Sequence, residues 1–209
     1  MDRKEEILQA TLKLVATQVM GNLSLSQVVD SVGIKKASLY NHFHSKEELI
    51  TGLYEYLRES AVKRGQLMQV DFSQLVRGRK PAQVLQIAVQ NYGKMVNDGE
   101  MKLFYRMIIS ERTFSKEAAE IMVLETDRMI WATKQLFYAM QVHGLMNFNN
   151  IDSTAVSFAL TINGLLNYQL DQKMTAKDDS DRYNKGKEML EEYIASFCNQ
   201  YAVEDGGKM

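Results

Sequence analysis

Ser24-Leu-Ser-Gln27 and Ser45-Lys-Glu-Glu48 each read as a capping box. In that motif a serine hydroxyl satisfies an unpaired amide of the first helical turn, while a glutamine or glutamate reaches back to the serine amide. Gly33 stands where the helix begun at Ser24 must end, and its freedom at positive φ suits a left-handed C-cap. Upstream, Ile7, Ala10 and Leu14, with Leu8, Leu12 and Val15, recur at helical spacing and predict a first helix over 3–17. Met20 to Leu23, with Gly21, is a short connection. Further helices are predicted over 24–32, 36–42 and 45–65, with almost no slack between them. Each cap contributes about 1 kcal/mol. The chain is therefore committed to short, closely packed helices at its start.

The remainder keeps that character. A single proline in 209 residues, with scattered glycines, argues against disordered linkers and against a β fold with many tight turns. Residues 68–80 read as a connection, within which Arg77-Gly78-Arg79-Lys80 forms a basic loop. Pro81 suits a first helical position, where a missing amide donor costs nothing. Helices are expected over 81–97, 100–112, 115–142, 153–173 and 181–201. The breaks fall at Asp98-Gly99, Thr113-Phe114, 143–152 and 175–180, and residues 204–209 are expected to fray. The expected fold class is all-α.

Composition narrows the setting. The most apolar stretch, 155–170, is interrupted by Asn163, Gly164 and Asn167, so nothing approaches the ~18 uncharged apolar residues that cross a bilayer. The opening MDRKEEILQA lacks the apolar core of a signal peptide. Cys198 is the only cysteine, which excludes an intramolecular disulfide and suits a reducing compartment; within a late helix its expected role is packing. A soluble, cytoplasmic protein is expected. The net charge of -1 gives no global sign of a nucleic-acid partner. Positive charge for such a partner must be local.

It is local. Two short helices flank Gly33-Ile34-Lys35, the turn geometry that lets a second helix project into the DNA major groove. Val28, Val29, Val32, Ile34 and Leu39 are the apolar contacts expected to fix the angle between them, and Phe43 locks the second helix against the next. The outward side carries Lys36, Ser38, Tyr40 and Asn41, groups suited to base edges and phosphate oxygens. From Ile34 to Lys46 there are lysines at 35, 36 and 46 and no carboxylate. Asp2, Glu5, Glu6, Asp30, Glu47 and Glu48 lie on the flanking helices. Charges beyond about 8 to 10 Å are largely screened, so a cationic ridge on a neutral molecule still meets phosphate.

The span from Leu23 to Leu49 resembles the DNA-binding domain of the TetR family of bacterial regulators. The matching residues are Gly33, Ile34, Ser38, Leu39, Tyr40, His42, Phe43, Ser45, Lys46, Glu47 and Leu49. Val29 and Val32 stand where that family usually has alanine, and Lys35 replaces its serine or threonine cap. The resemblance implies a three-helix helix-turn-helix DNA-binding domain over 1–48 and a larger helical effector-binding and dimerisation domain over 49–203. It implies DNA contact by Ser26, Lys36, Ala37, Ser38, Tyr40, Asn41, His42 and Lys46. Of these, Lys36, Ala37, Ser38 and Asn41 are assigned to base edges or nearby sugar, and Tyr40, His42 and Lys46 to the phosphate backbone. The implied partners are a palindromic double-stranded DNA operator and a second copy of the chain, paired through the last two helices. The chain is then a repressor released by a small-molecule effector.

Two late apolar stripes bear on that pairing: Ala155, Ala159, Ile162 and Leu166, with Gly164 permitting close approach, and Gly186, Leu190, Ile194, Phe197 and Tyr201. They serve either the dimer or the core of one chain. For an effector, Tyr92, Met95, Phe104, Met107, Trp131, Gln135, Tyr138, Asn163 and Asn167 are the candidate lining residues, Asn163 and Asn167 foremost as amides one turn apart on an apolar helix. The alternative for most of the set is ordinary core packing. An enzyme or cofactor carrier is disfavoured: there is no glycine-rich phosphate loop, no metal-spaced ligand set and no nucleophile with an evident base. His42 with His44 makes a poor metal site, and whether Glu111 and His143 meet in space is not shown by the sequence. No cofactor or metal is expected.

Overall fold

The computed structural model describes residues 2–18, 20–67, 71–97, 99–175 and 181–203. The expected linker at 68–70, the break at Asp98, the break over 176–180 and the tail 204–209 lie outside the described residues. Within them the chain is helical except for turns and one isolated antiparallel bridge between Met146 and Ala202. The helices are α1 (Arg3–Val15), α2 (Leu25–Val32), α3 (Lys36–Tyr40), α4 (Lys46–Leu67), α5 (Phe72–Val76), α6 (Pro81–Asn97), α7 (Gly99–Glu111), α8 (Lys116–Val142), α9 (Ile151–Thr175) and α10 (Asp181–Gln200). A 3-10 turn, Met20–Asn22, precedes α2. None of the helices described is long and apolar enough to cross a membrane.

Two compact units form, and they interleave along the sequence. One comprises Met1–Gln69 with Met95–Thr126, the other Val70–Lys94 with Asp127–Met209. In the first unit, Ile7 and Leu12 of α1, Val28 of α2, Leu39 of α3, and Leu49, Leu53 and Leu57 of α4 form one core with Phe104, Met107 and Ile108 of α7 and Ala118 and Ile121 of α8. Burying each large side chain of this kind contributes about 1.5–3 kcal/mol. The helix-turn-helix thus folds on α7 and the start of α8 as well as on its own residues.

The second unit is built on aromatic packing. Phe137 stacks on Phe148 with centroids 4.6 Å apart, and Phe197 lies 4.6 Å from Phe158 and 4.8 Å from Tyr201. Ala155 and Ile162 of α9 and Ile194 of α10 complete this core, with Leu166, Leu190 and Tyr201 packed against it. Both late stripes are therefore spent within the chain. The glycine that lets α9 and α10 approach is Gly186: a Cβ there would lie 2.5 Å from Gln172 Oε1 and 2.7 Å from Gln169 Cγ, whereas Gly164 has nothing within 4 Å.

Residues 68–80 hold more than a connection. Asp71 Oδ1 accepts the amides of Ser73 at 3.0 Å and Gln74 at 3.2 Å, starting α5, and Val76 is fully buried. The basic loop then turns at Gly78, whose φ is 72°. Arg79 donates to the carbonyls of Gln74 and Leu75, satisfying the end of α5. At least this one of its cations has a structural task.

Candidate nucleic-acid interface

The start of α2 is the expected capping box. Ser24 Oγ accepts the amide of Gln27 at 3.2 Å and Gln27 Oε1 accepts the amide of Ser24 at 2.8 Å. Gly33 closes the helix at φ 73°, ψ 34°, and the amides of Gly33 and Ile34 both donate to the carbonyl of Val29. That left-handed residue turns the chain, and Ile34, Val29 and Val32 pack at the edge of the first core.

Lys35 begins α3 in extended conformation with no side-chain cap. The helix ends at Tyr40, two residues before its predicted end, because the amides of His42 and Phe43 both converge on the carbonyl of Leu39. This tightened last turn drives Leu39 and Phe43 inward, at 0% and 1% exposure. The opposite side is left to solvent. Lys35, Lys36, Ala37, Tyr40 and Asn41 are exposed, as is Ser26 on α2, while Ser38, His42 and Lys46 are half-buried.

Tyr40 is 38% exposed, and its ring centre lies 6.0 Å from Lys36 Nζ, at the limit of a cation–π contact. The structure thus brings all eight DNA-facing candidates onto the α2–α3–α4 segment. Lys46 Nζ donates to the carbonyl of Gly21 at 3.0 Å. At the start of α4, Ser45 Oγ accepts the amide of Glu48, but Glu48 reaches past Ser45 to the amide of His44 at 2.6 Å. The neighbouring Glu47 carboxyl is held below its usual range by its backbone hydrogen bond and by the Ser45 hydroxyl. Both acids are thus engaged at the start of α4, Glu48 by the His44 amide and Glu47 by its own backbone and Ser45.

Sequence reasoning missed Lys4. Its Nζ lies 5.8 Å from the centre of the Phe43 ring, so α1 brings a further exposed cation beside the end of α3. No local pattern signals this, because the two residues meet only once α1 packs.

The nine effector candidates are divided between the two compact units. Met95, Phe104 and Met107 belong to the first compact unit, and Phe104 and Met107 are core residues there at 1% and 0% exposure. Tyr92, Trp131, Gln135, Tyr138, Asn163 and Asn167 belong to the second, with Trp131 and Tyr138 exposed. Asn163 and Asn167 are not the buried amides expected. Asn167 is exposed, Asn163 half-buried, and Asn167 Nδ2 donates to Asn163 Oδ1 at 3.4 Å.

Two adjoining open grooves of the second unit, about 320 and 670 Å³, run beside Ser153, Thr154, Gln200 and Tyr201, and none of the nine lines them. Glu111 accepts the amide of Met20, and His143 is exposed in the other unit.

These observations define an all-helical protein with an N-terminal helix-turn-helix whose solvent face is cationic and amide-bearing. Residues 7–53 match the profile of the family described as bacterial regulatory proteins, tetR family. The nucleoid occlusion factor SlmA of Shewanella baltica strain OS155 is 32% identical over 71 residues, which span 34% of this chain and 36% of that protein. The chain thus matches only about a third of that relative's length.

The fold likeness is wider. A protein of Mesorhizobium loti MAFF303099, described as a TetR-family transcriptional regulator, superposes with a TM-score of 0.65 at 17% identity, covering 97% of this chain and 100% of that one. A TetR transcription regulator from Haloarcula marismortui gives 0.59 at 13% identity, covering 96% and 98%. The whole chain has the fold of these regulators.

Proposed function

We propose that the chain is a dimeric, DNA-binding transcriptional repressor of the TetR type, acting in the cytoplasm and released from a palindromic operator by a small-molecule effector. The observation that carries this reading is the solvent face of α3. Lys36, Ala37 and Asn41 project from a helix aimed by the left-handed turn at Gly33, and Leu39 and Phe43 anchor its other side. In this reading residues 1–48 read the DNA and residues 49–203 hold the effector and the dimer contact. Tyr40, His42 and Lys46 meet the phosphate backbone, Lys36, Ala37, Ser38 and Asn41 meet base edges or nearby sugar, and Ser26 is a further DNA contact.

Pairing makes this small surface selective, since two heads one DNA turn apart multiply weak half-site affinities. The sides of α9 and α10 left over from the core support pairing there: Leu160, Tyr168 and Met189 are exposed, and Gly164 offers open space for close approach. An effector then acts by binding one head spacing better than another.

The test is selection of bound duplexes from a random library, then titration of Lys36→Ala and Asn41→Ala against the selected site. Each substitution lowers affinity by about 1–3 kcal/mol while the dimer stays folded. Unchanged affinity and unchanged salt dependence in both variants would refute the assignment.

A further inference from the structure

The 3-10 turn Met20–Asn22 is held from two sides. The amide of Met20 donates to Glu111 Oε1 at 3.2 Å, and Lys46 Nζ donates to the carbonyl of Gly21 at 3.0 Å. Met20 itself is buried, with its Sδ 3.9 Å from the Tyr54 hydroxyl. Glu111 is the last residue of α7, and its own carbonyl accepts the amides of Phe114 and Ser115 at the corner between α7 and α8. Its carboxylate is thus a fixed point of that corner. Tyr54 belongs to the same cluster: burial raises its phenol, a hydrogen bond with Ser115 opposes that, and the nearby charges of Glu111 and Glu117 add to the rise.

The amide of Met20 opens a helical turn and has no partner within it, so an acceptor must come from outside. A carboxylate is a strong one, because the bond is charge-assisted. The turn is three residues long, and Ser24, which starts α2, follows it after Leu23. A movement of Met20 is therefore passed with little slack to the capping box, to Ser26 and to the helix pair beyond. The same turn carries the carbonyl that engages Lys46, a residue of the proposed phosphate contact.

We propose that Glu111 is a positioning residue for DNA recognition: by gripping the amide of Met20, it makes the α7–α8 corner set the attitude of the helix-turn-helix. This rests on the reading that α3 docks on DNA. Glu111 touches no nucleotide.

The experiment uses the full chain with Glu111→Ala and Glu111→Gln, and with Lys36→Ala as a reference. Two quantities are read: hydrogen exchange at the Met20 amide, and affinity for a selected duplex across a salt series. Glu111→Ala accelerates exchange and weakens binding, each by about tenfold, the worth of one charge-assisted hydrogen bond. It leaves the slope of log affinity against log salt unchanged, because no cation is lost from the DNA-facing surface, whereas Lys36→Ala removes one and reduces that slope. Glu111→Gln keeps an acceptor oxygen and restores most of both.

Should Glu111→Ala fail to fold, Glu111→Asp, which withdraws the oxygens by one methylene, carries the same comparison. Exchange that is unchanged, faster exchange with unaltered binding, or a glutamine variant as poor as the alanine one overturns the proposal. If Lys36→Ala weakens binding and Glu111→Ala does not, the DNA reading stands and the positioning role falls. If the wild-type chain binds no duplex, both fall, even where the exchange responds.

Discussion

Gly52 lies on α4 directly over the Phe43 ring. A Cβ built there would stand 2.8 Å from Phe43 Cε1 and 3.8 Å from a methyl of Leu8. The substitution Gly52→Ala therefore sets two effects of known size against each other. Alanine in a helix interior gains about 1 kcal/mol over glycine. Against that, a carbon forced to 2.8 Å requires the ring to move, and Phe43 is only 1% exposed, with Leu39, Leu49 and Leu53 in the same core. Overpacking of this kind costs about 1–3 kcal/mol. The overlap is with a rigid ring in a filled core, so the clash wins, and the net change is a destabilisation of about 1 kcal/mol.

Thermal unfolding followed by circular dichroism reads this as a fall in Tm of about 2–4 °C for a chain of this length. Gly93→Ala is the control, since the new Cβ would lie 4.0 Å from a Leu166 methyl, ordinary contact distance. That variant keeps the propensity gain without the clash and raises Tm by about 2–4 °C. A second arm isolates the ring: Phe43→Leu in the Gly52→Ala background makes room for the methyl, so the two changes couple by about 1 kcal/mol instead of adding. A rise in Tm for Gly52→Ala, or strict additivity with Phe43→Leu, would refute the claim that close approach of α4 to Phe43 demands glycine at position 52.

Further outcomes follow from single contacts. Ser24→Ala removes the acceptor for the Gln27 amide and lowers stability by about 1 kcal/mol in urea titration; an unchanged midpoint would mean that the box is not formed in solution. Burial raises the Cys198 thiol above its ordinary value, so its alkylation is slower than that of a free thiol and its rate–pH curve is displaced to higher pH. Burial is also the largest cause of the raised phenols of Tyr54, Tyr56 and Tyr193. A raised folded value favours the neutral form, so this contribution is complete below about pH 10 and is lost as pH rises through the folded values. Unfolding free energy measured from pH 8 to 11 should show this loss only above about pH 10, and Tyr54→Phe should make the fall there shallower.

The parts of the fold that were legible in the sequence are those whose causes lie within one helical turn. The Ser24–Gln27 box, the left-handed Gly33 and Pro81 at the start of α6 each depend on neighbours three or four residues away. The same reasoning should have found α5, because Asp71 followed by Ser73 and Gln74 is an ordinary N-cap pattern; the basic run from Arg77 to Lys80 drew the reading toward a loop. The end of α3 was misjudged because periodicity does not reveal that two amides will share the Leu39 carbonyl.

Long-range partners left no trace in any window. Glu111 meets Met20 across 91 positions, and Arg58 meets Glu120 across 62. The aromatic and methionine residues proposed for an effector were ambiguous for a related reason: periodicity places Phe104 and Met107 on an inward face but cannot say whether that face is filled. Both are buried, with Ile108, Leu53 and Ile121 in the same core. Recognition chemistry is the opposite case, since it needs exposed groups on one short helix, and three lysines without a carboxylate are already visible as a string. What makes that string usable is remote. Phe43 under Gly52, Lys4 over Phe43, and Glu111 on Met20 are the contacts that aim it, and each joins residues that only the folded first unit brings together. A local motif thus supplies the groups that would touch DNA, while non-local packing supplies the angle at which they are offered. Substitutions at the second kind of position should therefore alter affinity without altering which bases are preferred.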